Sequence, residues 1–246
     1  MVFRTKLNVA LAGLCVAALL AACGGGGDGL VTSAATQFAG TLGGNRDAAA
    51  VVLPDGRYYL VYSAAGDANT VGGALQGTAT VTNGSFASAD TVDFAVAATY
   101  AAPKAATVSG VLNASSFTGT ETPTTGTATD FQTVAFYSTT ANTLDRLAGA
   151  YTGTAGFALG VRPAVFTVTA SGAVTSSING CAITGTASPR ADSDTYDLTI
   201  TFGGPPCAIQ NVSFTGVAYQ RPDNGRLYAV ARNATLRQSV IFSGVR

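Results

Sequence analysis

Histidine and tryptophan are absent from the chain, and beyond residue 23 lysine and glutamate occur once each, as Lys104 and Glu121. Without histidine there is no Ser-His-Asp or Cys-His nucleophile, no His-ligated zinc and no His-ligated haem iron. A Ser-Lys dyad would have to use Lys104, but "AAPKAAT" has no serine motif beside it and reads as a solvated loop. Charged residues make up only 11% of the sequence. They show none of the basic clustering expected of a nucleic-acid site. The scarcity of Glu and Lys also leaves almost no solvent face for surface helices, which are normally covered with them. No apolar run reaches the roughly 20 residues a helix needs to span a bilayer. The longest, Leu7–Leu20, is broken by Asn8.

What is present at the N-terminus has a secretory layout: Arg4 and Lys6, then that apolar stretch, then small residues. Leu20, Ala21, Ala22 and Cys23 follow, and glycines occupy 24–27 and 29. This quartet resembles the lipobox of bacterial lipoproteins, in which small or aliphatic side chains admit the backbone to a membrane-embedded peptidase. The resemblance implies cleavage between Ala22 and Cys23, a diacylglycerol thioether on Cys23, and usually acylation, such as by palmitate, of the new amine. Two or three acyl chains on one residue give stable anchoring, where one chain alone is marginal. Gly24 stands where an aspartate would retain such a protein in the inner membrane, which implies an outer-membrane location. The glycine run cannot pack a core and reads as a flexible tether.

The expected organisation is a signal peptide over 1–22, a lipidated cysteine and tether over 23–35, a β-domain over 36–142 and a second over 143–246. The mature chain then carries 11 basic against 13 acidic residues, since Arg4 and Lys6 leave with the signal. The 47% hydrophobic content of the full sequence suits a packed core. Abundant valine, threonine, tyrosine and phenylalanine suit pleated strands. Tyr196, Leu198, Ile200 and Phe202 alternate with polar residues, and so do Val92, Phe94 and Val96. Each reads as a half-buried antiparallel strand. "RYYLVYS" from Arg57, "AVFTVTA" from Ala164, "NVSFTGVAY" from Asn211 and "RLYAVA" from Arg226 read similarly. Asp55-Gly56, Asn83-Gly84, Ser171-Gly172, Asn179-Gly180 and Asn224-Gly225 fall between apolar runs and predict hairpin turns. The fold class is therefore all-β, with one or two small antiparallel barrels or sandwiches.

From Leu147 onward, Gly-x-Tyr-x-Gly, Cys181, Cys207 and a closing Gly-Arg-Leu-Tyr hairpin resemble the C-terminal region of proteobacterial lipoproteins. In architecture the chain also resembles the small barrels of surface lipoproteins such as transferrin-binding protein B and factor H-binding protein. Where a lipocalin-type opening would carry tryptophan, this chain has Tyr151.

Export places Cys181 and Cys207 in an oxidising compartment, where two thiols in one domain tend to pair. Buried free thiols or a metal pair are the alternatives. Asp192, Asp194 and Asp197 alternate in "ADSDTYD" and could gather oxygens for calcium or simply make a turn. Asp90 with Asp93, and Glu121 with Asp130 around "TPTTGTAT", are the other acidic groupings. Arginines and tyrosines are frequent and serve either a recognition surface or a half-buried core. Together these point to a non-catalytic, lipid-anchored envelope protein that binds a protein, glycan or small ligand and carries no cofactor beyond its lipid. The alternatives are a carboxylate-based hydrolase and a carrier of haem or another apolar ligand.

Overall fold

The computed structural model describes residues 36–96, 103–136, 141–157 and 160–246. The expected signal peptide over 1–22 and the expected lipidated Cys23 and tether over 23–35 lie outside these residues. The described chain forms two closed, eight-stranded antiparallel barrels.

The first barrel contains β1 (Thr36–Leu42), β2 (Arg46–Val52), β3 (Arg57–Ala64), β4 (Asp67–Thr78), β5 (Thr80–Thr82), β6 (Ser85–Ala95), β7 (Lys104–Leu112), β8 (Ser116–Pro123) and β9 (Thr129–Phe136). Around the wall the order is β4-β3-β2-β1-β9-β8-β7-β6, and β4 closes the ring by pairing with β6. The short β5 continues the line of β4 past Ala79 and also pairs with β6. Closure removes free edges, which a chain with few charges could not otherwise protect. Lys104, read from the sequence as a loop residue, instead opens β7 and lies opposite Asp93.

A short linker helix, α1 (Leu144–Leu147), leads to the second barrel. This comprises β10 (Gly149–Phe157), β11 (Gly160–Val168), β12 (Ala173–Ile178), β13 (Cys181–Pro189), β14 (Tyr196–Phe202), β15 (Ser213–Gln220), β16 (Leu227–Asn233) and β17 (Gln238–Val245). They pair in chain order, and β17 returns to β10.

The turn signals act where expected. Asn83-Gly84 joins Thr82 to Ser85, and Asn179-Gly180 joins Ile178 to Cys181, with φ of 51° and 81° in the first turn and 51° and 80° in the second. Two successive positive φ values give the type I′ turn, whose twist matches that of its strands.

Each barrel is filled by its own side chains. Phe38, Phe86, Phe117 and Phe131 meet in the first, where Phe117 lies 4.6 Å from Phe86 and 4.7 Å from Phe131 between ring centroids. Tyr58 joins them edge-on to Phe86. In the second, Tyr151, Phe166, Tyr196, Phe202, Phe214 and Phe242 belong to one buried cluster.

A third cluster lies between the barrels. Residues 48–52 of β2, 58–63 of β3, 71–76 of β4, 227–231 of β16 and 239–244 of β17 are buried without alternation. The segments "RYYLVYS" and "RLYAVA" are thus buried on both faces rather than half-buried. One face fills a barrel, and the other meets the neighbouring barrel. Ala49, Val51, Val61 and Phe94 there pack with Val217, Tyr219, Val230 and Ile241. Hydrogen bonds cross the same boundary: the Tyr219 hydroxyl donates to the Ala49 carbonyl at 2.7 Å, and the Val71 amide donates to the Thr154 hydroxyl at 2.9 Å.

The disulfide joins Cys181, at the start of β13, to Cys207 in the segment between β14 and β15. Ile209 and Val212 of that segment pack against the core of the second barrel.

Candidate functional site

Strand direction gathers one charged group at a single end of the first barrel. Leu42 ends β1, Arg46 begins β2, Tyr62 lies near the end of β3, Asp93 near the end of β6, Lys104 begins β7 and Glu121 lies near the end of β8. These residues line a cavity of about 770 Å³, which reaches Val161 and Arg162 on β11 of the second barrel. That volume is within the usual range of small-ligand pockets, about 300–1,000 Å³.

Glu121 is 6% exposed, and its Oε1 has no hydrogen-bond partner. Burial, with the Asp93 carboxylate adding to it, pushes the Glu121 carboxyl up to about 7, against the opposing pull of Lys104. Asp93 is likewise raised by burial, while its bond from Tyr62 acts the other way. The Tyr62 hydroxyl donates to Asp93 Oδ1 at 2.6 Å. Burial and then the nearby Asp93 charge drive the Tyr62 phenol well above its ordinary range. Gly73 makes the Tyr62–Asp93 bond reachable, because a Cβ there would collide with the end of the Tyr62 ring. The Arg46 guanidinium lies over the Tyr62 ring, 5.4 Å from its centroid, and donates to the Ser63 carbonyl at 3.2 Å. Among the described residues Arg46, Lys104 and Arg162 form no ion pair within 4.0 Å. Both signs of charge therefore line one cavity without neutralising each other in pairs.

The acidic groupings read from the sequence are divided differently. Glu121 is opposite Thr129 in the β8–β9 ladder, and Asp130 is opposite Thr120. Neighbouring positions on a strand face opposite sides. Glu121 thus points inward, while exposed Asp130 accepts a bond from the Thr120 hydroxyl at 2.7 Å. Asp90 and Asp93 are separated by the bulge between Ser88 and Thr91, and Asp90 accepts from the Thr78 amide instead. Glu121 shares its cavity with Asp93, a partner 28 positions away brought to it by the register of β6 and β8 on either side of β7. No short-range spacing could have found that pair.

Asp192 and Asp197 both bond to Arg190, and Asp194 bonds to Arg146. These carboxylates are engaged by guanidinium groups. A second cleft, of about 520 Å³, lies between the barrels and includes Arg57, Asp90, Asp197 and Arg232. Much of its charge is already engaged, with Arg57 on Asp55 and Asp197 on Arg190.

The raised Glu121 carboxyl has a thermodynamic consequence. The folded chain keeps this proton up to about pH 7, whereas an unperturbed glutamate releases it near 4.5. Its favourable contribution is fully present below pH 4.5 and is lost as pH rises through 7. Melting at pH 5 and pH 8 should show a loss of about 1–2 kcal/mol, allowing for screening at an open barrel end. Glu121→Gln should flatten that dependence. An equally steep profile in the variant would assign the slope to another group.

Searches against family models, curated proteins and solved structures find no match to this chain.

Proposed function

We propose that this chain is a lipid-anchored protein of the cell envelope, held in the outer membrane through Cys23, whose first barrel binds a small polar ligand without chemically altering it. The observation that carries the binding role is the buried Glu121 carboxylate, with an unpartnered oxygen, in a charged cavity at one end of an otherwise filled barrel. Ligand pockets commonly combine apolar walls with a few converging polar groups, and here Leu42, Leu75 and Val71 supply the apolar part. The anchor is supported by the Leu20–Cys23 pattern and the glycines after it. The two joined barrels would present the cavity, and a surface for a protein or glycan partner, at the membrane.

The test has two arms. The full chain, purified in detergent, is stripped of its bound small molecules and compared with Glu121→Gln by mass spectrometry. A polar compound enriched in the parent and lost in the variant is expected, and identical extracts would remove the binding role. Cys23→Ala should leave the membrane fraction and take up no labelled palmitate. Unchanged incorporation would remove the anchor.

A second reading, carboxylate-based hydrolysis, is favoured by one observation. A carboxyl near 7 beside a second carboxylate suits a general acid working at neutral pH. Turnover of chromogenic glycosides by the parent and not by Glu121→Gln would put this reading in place of simple binding.

A further inference from the structure

We propose that the ligand of the barrel mouth is a zwitterion of short-peptide type, its ammonium group seated on Glu121 and Asp93 and its carboxylate on Arg46 and Arg162. This deepens the binding role proposed above and rests on it.

The wall order fixes where the charges stand. In the eight-stranded ring β2 lies four strands from β7, directly across the barrel, and β8 and β6 flank β7. Glu121 and Asp93 therefore occupy one wall, on either side of Lys104, while Arg46 occupies the opposite wall. Arg162 reaches the same cavity from the second barrel. The mouth thus carries carboxylates and guanidinium groups on different strands, with Tyr62 between Arg46, which lies over its ring, and Asp93, which accepts from its hydroxyl.

Glu121 Oε1 requires a donor, because a buried carboxylate oxygen left unpaired is costly. An ammonium supplies up to three donors and the opposite charge. Lys104 lies between the acids but within ion-pair distance of neither, and its side chain opens to solvent. On the other wall Arg46 is fixed by its stacking on Tyr62 and its bond to Ser63, leaving guanidinium donors for an anion. Guanidinium matches a carboxylate in two-pronged geometry. A purely anionic ligand would face the two carboxylates, and a purely cationic one would face three basic groups. A ligand carrying one charge of each sign at its two ends avoids both conflicts. The cavity, about 770 Å³, is larger than a single amino acid requires and accommodates a short peptide with apolar side chains against Val71, Leu75 and Val161.

The test uses the full chain in detergent and an equimolar mixture of tripeptides with free ends. The same mixture is also prepared N-acetylated and C-amidated. Binding is read by native mass spectrometry and calorimetry. The free-ended mixture should bind, and each blocked mixture should bind at least ten-fold more weakly. Glu121→Gln should weaken the free-ended mixture about ten-fold and no longer distinguish it from the acetylated one. Arg46→Gln should lose discrimination against the amidated mixture in the same way. Equal binding of all three mixtures, or binding of none, overturns the zwitterion. If a different polar compound is still retained by the parent and lost in Glu121→Gln, the mouth remains a binding site and only the ligand class fails. If no compound depends on Glu121, both readings fail.

Discussion

Tyr219→Ala is expected to lower stability by about 3–5 kcal/mol, the usual cost of truncating a large buried aromatic, and to uncouple the unfolding of the two barrels. Tyr219 is fully buried although it projects from the outside of its own barrel. Its ring stacks on Tyr228 with centroids 5.5 Å apart, and its hydroxyl donates to Ala49 on the other barrel. Truncation removes the ring from a closely packed boundary and deletes one of the hydrogen bonds that cross it. In urea the parent should unfold in one transition, since neighbouring apolar faces support each other, whereas Tyr219→Ala should show two. Far-ultraviolet circular dichroism and tyrosine fluorescence report the two events. Tyr219→Phe keeps the ring and should cost only about 1 kcal/mol, the net worth of one hydrogen bond. A loss below 1 kcal/mol in the alanine variant would mean that the barrels do not depend on this boundary.

The second large effect is expected from the disulfide. Replacing both Cys181 and Cys207 with alanine should cost about 3.5 kcal/mol in the loop-entropy account for a bridge spanning 26 positions. The bridge also has a specific place. Cys207 is 2% exposed, and the segment it holds brings Ile209 and Val212 against the core. Amide exchange over 203–212 should accelerate more than exchange in β15 or β16. Uniform acceleration would indicate that the bridge acts only on the unfolded chain.

Much of the fold is legible in the residues because its determinants are local. Asn-Gly pairs specify type I′ turns at 83–84 and 179–180, and the alternation of Tyr196–Phe202 reproduces the inward and outward positions of β14. The disulfide is also legible, since Cys181 and Cys207 are the two cysteines of the segment read as the second β-domain. The boundary between the barrels is not. "YYLVY" carries polar hydroxyls at 58, 59 and 62, so tyrosines that are buried on two different faces resemble those of an ordinary half-exposed strand. The site is legible only in part. Glu121 stands out as the single glutamate of the sequence, but nearby Asp130 lies on the opposite face. Its cavity partners Asp93 and Arg46 arrive through register and ring closure, which depend on the whole barrel.

The direction of β1 carries one more consequence. The described chain enters the first barrel at Thr36 and reaches the charged end only at Leu42, at the other end of a seven-residue strand, or about 20 Å at the usual rise of a strand. The opening formed by Arg46, Tyr62, Lys104 and Glu121 therefore lies at the far pole from the entry point. A body leashed flexibly from its leading segment would thus carry that opening at the pole away from its leash, within reach of whatever diffuses past.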